Sequence, residues 1–373
     1  MRLWGKQDKY ELSIKLSLLL ALAIVPLLGS SYHTSLMVIV GIHTMVTVGL
    51  CLLMGYTGQV SLGHAAFYGL GAFFSGILSA TFGVQPWIAM LLAASATAAI
   101  AYVTAFPMFR LRGHYLAMGT LGFGIIVYIL FVELKDFTGG PSGLPGIPPL
   151  AIGPVVFDTD QKFYYLAWAF CLVVLFVSQN VVDSRVGRAL RAVHGNEEAA
   201  RSLGVEIGQF KIKVFVLSAV YASLAGSLYA HYTTFVSPQP FGFLFSIRLV
   251  VMVVVGGLAS VWGSIFGTAT ITLLGDLLQG FGELDTVVFG LILILVMVFL
   301  PQGLFRAIVG VYESLLLSNR TQTAESIQQT TNTGQKALEP GWQEIELPPW
   351  NPEFEAQNPG FADQSPKQVP PCR

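Results

Sequence analysis

The sequence predicts an all-α polytopic membrane protein with about ten transmembrane helices, some of them discontinuous. Three observations predict it. Hydrophobic residues make up 54 % and charged residues 11 % of the 373-residue chain, with a mean hydropathy of +0.66; a soluble domain carries about 25 % charge. Charge is also absent in long blocks: no Asp, Glu, Lys or Arg occurs between Lys15 and Arg110, from Lys213 to Arg248, from Arg248 to Asp276, or from Asp285 to Arg306. The apolar runs between polar breaks are near the ~20 residues that cross a bilayer. A soluble enzyme is excluded. With net charge −1 and no basic domain, so is nucleic-acid binding.

The elements follow in order. Residues 1–15 carry Arg2, Lys6, Lys9 and Lys15 and read as a cytoplasmic N-terminus. The run that follows reads as an uncleaved first span rather than a signal peptide, because it exceeds a signal core and no A-x-A site follows. The spans fall at 13–31, 36–54, 62–82, 87–109, 114–132, 163–182, 214–235, 246–258, 262–276 and 286–301, within a membrane domain of 16–305. The segment 246–276 could be one kinked helix. A hairpin turning at Gly256–Ser260 instead places 17 of the 20 Lys and Arg on one side, leaving only Lys135, Lys162 and Arg248 on the other. The Lys/Arg bias favours the hairpin, with both termini cytoplasmic. Loop 133–162, rich in Gly and Pro, is then external, either as a docking site for a partner or as an ordered cap. The tail 318–373 is rich in Gln, Thr, Pro and Glu and reads as disordered.

Two stretches stand out. Gly55–Phe74, GYTGQVSLGHAAFYGLGAFF, interrupts two apolar segments with glycines. Such breaks occur where backbone is buried in protein or lines a cavity, and transporters build substrate sites there. Close packing through small residues is the competing reading. Gly58, Gln59, Ser61, Gly63 and His64, with Gly256 and Gly257 at the later turn, are the candidate pathway residues. The histidines His33, His43, His64, His114 and His231 read as interfacial hydrogen-bonding groups at span ends or among glycines.

The second stretch is the basic loop 184–213. Ser184 suits an N-cap; Val186, Ala189, Leu190 and Val193 share one helix face, opposite Arg185, Arg188 and Arg191. Gly195 suits a left-handed stop. Asn196 caps a second helix with Glu197 and Glu198 in its first turn and Ala199, Ala200 and Leu203 as a small apolar face; Gly204 ends it. This reads either as a docking surface or as a solvated loop that orients the chain. Cys51, Cys171 and Cys372 suggest neither a disulfide framework nor a metal site, and no cofactor is expected. No proton-relay carboxylate lies mid-span. No G-x-x-x-x-G-K-[ST] occurs, so an energy source for active transport must be another chain.

Four motifs carry a resemblance. GQVSLGHAAFYGLGA (58–72), RLRGHYLAMGTLGFG (110–124), TGGPSGLPGI (138–147) and VVGGLASVWGSIFGT (254–268) resemble, in order, the LivM-like permeases of branched-chain amino-acid ABC importers. The resemblance covers about 35–305. EAARSLG (198–204) matches the E-A-A-x-x-x-G signature of ABC membrane subunits. The trailing I-x-L-P is degenerate, with Val214, Val216 and Leu217 standing in and no proline. The resemblance implies a non-enzymatic permease in a bacterial inner membrane, moving neutral or hydrophobic amino acids. Its implied partners are ABC ATPase subunits, a second homologous permease, a periplasmic binding protein and the lipid bilayer. Arg188, Arg191, Glu198, Ala199, Ala200 and Gly204 are the implied ATPase-coupling residues. A urea or amide permease of the same architecture and a stand-alone facilitator remain as alternatives.

Overall fold

The computed structural model describes residues 30–278 except 112, together with residues 22, 26, 290, 291, 294, 303 and 304. Among the described residues, eight apolar helices pack together: α1 (Ser31–Thr57), α2 (His64–Ala80), α3 (Pro86–Met108), α4 (His114–Glu133), α5 (Asp160–Asp183), α8 (Ile207–Thr233), α9 (Phe243–Gly256) and α10 (Gly263–Leu278). Two short polar helices, α6 (Arg185–Gly195) and α7 (Glu197–Ser202), separate α5 from α8. Helices α1, α3, α4, α5 and α8 are long and apolar enough to span a membrane. By contrast, α9 has 14 residues, about 21 Å at 1.5 Å per residue, which is short of the ~30 Å hydrocarbon core. The expected first and tenth spans, 13–31 and 286–301, and the tail 318–373 fall mainly or wholly outside the described residues.

Burial ranks the helices. The most apolar window of α1 is 78 % buried and that of α8 61 %, against 22 % for α4. So α1 and α8 form the centre, and α4 turns most of its surface outward. Close approach depends on small residues: a Cβ at Gly49 would sit 3.0 Å from the Ser218 carbonyl oxygen, and one at Gly226 would overlap the Tyr68 carbonyl. The Thr47 and Thr268 hydroxyls share a 2.8 Å hydrogen bond between α1 and α10.

Segment 246–276 is two packed helices, α9 and α10, joined at 257–262. Gly256, Gly263 and Gly267 let their backbones touch.

The connections segregate to two ends. At one end lie 58–63, 109–113, 184–206 and 257–262. At the other lie 81–85, 134–159 and 234–242. The second end is tied down by polar side chains. Asp160 accepts hydrogen bonds from Ser31 (2.5 Å) and Tyr232 (2.8 Å), joining α1, α5 and α8, and Asp276 of α10 accepts from Tyr32 (2.6 Å). The expected loop 133–162 is shorter: Glu133 closes α4 and residues 160–162 open α5, so residues 134–159 connect the two helices. Leu144–Pro145 pairs antiparallel with Phe235–Val236, Ala151–Ile152 with Val155–Val156, and the Trp87 indole donates to the Ala151 carbonyl at 2.7 Å.

Three expectations need correction. Helix α8 begins at Ile207, so Gly208–Lys213 belong to a membrane helix rather than to the loop, and Lys211 and Lys213 extend from its first turns. Gly195 is not a left-handed stop; it is the last residue of α6, and Asn196, extended at φ −160°, ends that helix. Nor are three of the histidines interfacial. His43 is half-buried in the middle of α1, and His64 and His231 are buried against serine hydroxyls at 2.8–3.0 Å. Hydrogen bonds satisfy the last two rings without water.

Candidate functional site: a broken helix beside a two-helix element

The α6–α7 element is built by its caps. The Ser184 hydroxyl accepts from the Val186 amide at 3.1 Å, starting α6. The apolar face lands as spaced, with Leu190 and Val193 buried. Arg185 and Arg188 are exposed, and the Arg191 guanidinium donates to the Val182 carbonyl at 3.1 Å, fastening α6 to the end of α5. Gly187 lets α6 pass against that same carbonyl. Asn196 then serves two helices. Its extended backbone stops α6, and its side-chain oxygen accepts from the Glu198 and Ala199 amides at 2.9 and 3.1 Å. Glu197 and Glu198 sit in the first turn of α7, where the helix dipole favours them.

Helix α7 is anchored by its own small core. Ala200 packs with Val193 and Ile207, and Lys211 of α8 reaches Glu197 at 2.6 Å. The expected shared apolar face of α7 therefore divides. Ala200 is buried, whereas Ala199 is exposed and Leu203 is 83 % exposed. Six residues make fewer than two turns, and the inward side is taken by Ala200. Gly204, at φ +81°, makes the left-handed exit.

The break lies between α1 and α2. Gly58, at φ +70°, closes α1, its amide donating to the Met54 carbonyl at 3.1 Å in a left-handed cap. The loop that follows is fastened by three other helices. The Leu62 amide donates to Thr120 of α4 at 3.0 Å. His64 shares hydrogen bonds with Ser61 at 2.9 Å and with Ser218 of α8 at 3.0 Å, and the Ala65 amide donates to Ser246 of α9 at 3.3 Å. Gly63 lies against the Thr120 carbonyl. Gln59 is buried, and its Oε1 has no hydrogen-bond partner.

The two stretches meet. A Cβ at Gly58 would lie 2.8 Å from Nδ1 of His194, in the last turn of α6. Beside this contact is a cavity of about 410 Å³, lined by Gly58, Gln59 and Val60 from the break, Gly113 and His114 opening α4, and Asn196, Glu197 and Glu198 from α7. Pathway and coupling candidates thus share one wall. Gly256 and Gly257 stand apart. Gly256 is a packing contact to α10, and Gly257, at φ +113°, turns the chain near Gly303.

Sequence reasoning did not single out His194, Thr120, Ser218 or Ser246, which hold the break from other elements. Their only signal was a polar residue within an apolar run or at the end of a basic helix. Among the described residues no group of three His, Cys, Asp or Glu is placed to hold a metal ion.

The model of the family described as "Branched-chain amino acid transport system / permease component" matches residues 32–297. The chain belongs to this family of membrane permease components. It is 32 % identical to the high-affinity branched-chain amino acid transport system permease protein LivM of Salmonella typhimurium over 323 residues, covering 80 % of this chain and 76 % of that protein. It is 27 % identical to the high-affinity branched-chain permease protein BraD of Pseudomonas aeruginosa over 70 % of this chain and 91 % of that protein. It is also 25 % identical to the autoinducer 2 import system permease protein LsrC of Yersinia enterocolitica, over 62 % of this chain and 54 % of that protein. No solved structure matches. Family and apolar helices together make the permease a multi-pass membrane protein, and its family is one of transport components, not an enzyme class.

Proposed function

We propose that this permease is a membrane subunit of an ATP-driven importer that carries neutral or hydrophobic amino acids of the branched-chain type across a bacterial inner membrane. It works with two ABC ATPase subunits, a second related permease and a periplasmic binding protein. The end bearing α6 and α7 is cytoplasmic, in keeping with Arg110, Arg185, Arg188, Arg191 and Arg201 there. The observation that carries the reading is the contact of α6 with the broken end of α1, beneath an exposed Leu203 and Ala199. An ATPase seated on α7 moves α6, and α6 moves the break.

In this mechanism Glu198, Ala199 and Gly204 fit the ATPase surface, and Ala200 holds α7 to its own core. Arg188 faces the partner; Arg191 fixes α6 to α5. Gly58, Gln59, Ser61, Gly63 and His64 form the element whose movement opens or shuts the path. The relatives' names favour branched-chain amino acids as cargo over autoinducer-type compounds, since the match to LivM is longer and closer. The test is ATP-dependent uptake of L-leucine into proteoliposomes holding the co-purified complex. Uptake that needs ATP and is lost in Glu198→Lys supports the reading. Leucine or urea flux through the chain alone, without ATP, overturns it.

A further inference from the structure

Helix α9 carries an arginine at a depth where none is expected. The charge count leaves Arg248 beyond the membrane, but its neighbours put it level with the middle of the bundle. The chain enters 234–242 from the capped end and dips inward, so that Phe241 packs edge-on to Tyr68 and Phe73 of α2 at 5.2 and 5.8 Å between ring centroids. Phe245, one turn before Arg248, lies 5.0 Å from the ring of His43, midway along the 27-residue α1. Ser246 accepts from the Ala65 amide in the first turn of α2. Arg248 is then about 12 Å, eight residues at 1.5 Å each, from the Gly256 end of α9. The early start inside the bundle also accounts for the shortness of α9.

Arg248 is exposed at that depth, with Phe243, Leu244 and Ile247 exposed beside it on the same stripe of α9. A guanidinium cannot face lipid tails; ionisable groups inside a bilayer face protein or water and pair there. The apolar neighbours make this stripe a poor wall for a watery channel and a good seam for another protein. A groove of about 380 Å³ between α4 and the start of α9, lined by Ile125, Tyr128, Gln239 and Leu244, extends the stripe and offers a seat for a partner's side chain. A second copy of this chain does not complement the seam. No Asp or Glu occurs in residues 16–132, 163–182, 214–275 or 286–312, so a two-fold contact between copies brings no carboxylate to Arg248.

We infer that the stripe Phe243–Leu244–Ile247–Arg248 of α9 is the intramembrane seam with a membrane chain of different sequence, which presents an Asp or Glu to Arg248 at mid-depth. The inference rests on the importer reading, in which that chain is the second permease, and adds the face, the residue and the charge of the contact. The pair selects for the unlike partner: the carboxylate neutralises Arg248, whereas a second copy of this chain leaves its charge without one.

The experiment uses the full chain in its native membrane with a photo-crosslinking residue at Leu244, which is 79 % exposed, and identifies the crosslinked peptide by mass spectrometry. The expected adduct is to a membrane-spanning peptide of a second, non-identical permease, and that peptide carries Asp or Glu. Arg248→Glu should cut co-purification of that chain by about tenfold at equal membrane content, equivalent to ~1.4 kcal/mol, and Arg248→Lys should keep most of it. Replacing the partner's carboxylate by lysine should restore pairing with Arg248→Glu. Adducts to lipid alone, to a second copy of this chain or to a peptide without a carboxylate overturn the seam, as does co-purification indifferent to Arg248→Glu. If Arg248→Glu fails to insert, the identity of the Leu244 adduct decides alone. A second permease that co-purifies with an ATPase but never crosslinks at Leu244 overturns this inference and leaves the importer reading standing; absence of any second permease overturns both.

Discussion

Gly58→Ala is the sharpest perturbation of the α6–break contact, because its two costs can be separated. The first is conformational. At φ +70° an L-residue loses about 1–2 kcal/mol relative to glycine. The second is steric. The new Cβ lies 2.8 Å from His194 Nδ1, against an ordinary separation of about 3.5–4.0 Å. Overpacking of this size costs about 1–3 kcal/mol, with the lower end expected because His194 is exposed and can retreat. The assay is ATP-dependent leucine uptake in membrane vesicles, normalised to permease content, for Gly58→Ala, His194→Ala and the double variant. Gly58→Ala should lose most uptake, and His194→Ala, which removes the ring that bears on the break, a smaller but measurable part. The double variant should regain about fivefold, a coupling of ~1 kcal/mol that marks direct contact. The backbone part of the loss stays in both. Strictly additive effects would refute the claim that α6 bears on the break through His194.

Further predictions concern the surrounding structure. Gly204→Val meets no atom within 4 Å but must adopt φ +81°. It should therefore lower uptake through backbone strain of about 1–2 kcal/mol, while Gly204→Asn is tolerated; membrane content measured alongside separates coupling from insertion. Leu203→Asp should leave thermal stability unchanged, because the side chain is 83 % exposed, yet abolish co-purification of the ATPase. His64→Ala leaves the buried Ser61 and Ser218 hydroxyls without their ring partner, at about 1–3 kcal/mol each, and should lower the unfolding temperature in detergent. Asp160→Ala removes the acceptor shared by Ser31 and Tyr232. It should destabilise by about 1.5–3 kcal/mol in a denaturation assay and leave the ATPase bound.

The membrane body was legible because charge is excluded from whole spans, and a bilayer leaves the backbone few alternatives to helix. The caps of α6 and α7 were legible for a local reason: Ser184 and Asn196 act within three residues of themselves. What sequence could not supply was convergence. Nothing near Gly58 names His194, and nothing near His64 names Ser218, 154 residues away. The misread His64 and His231 share this cause. A histidine in an apolar run looks interfacial until the serine that satisfies it, on another helix, is known. The same holds for the later glycines, whose partner is each other's backbone across the α9–α10 hairpin.

The measurement closest to the central claim places a photo-crosslinking residue at Leu203, on the exposed side of α7, in the chain expressed in its native membrane. Crosslinked products are then identified by mass spectrometry. The account predicts one dominant adduct, to a P-loop ATPase, weakened when Gly204→Val is introduced alongside. A permease that yields no ATPase adduct at this position, and still carries leucine through liposomes without ATP, would contradict it.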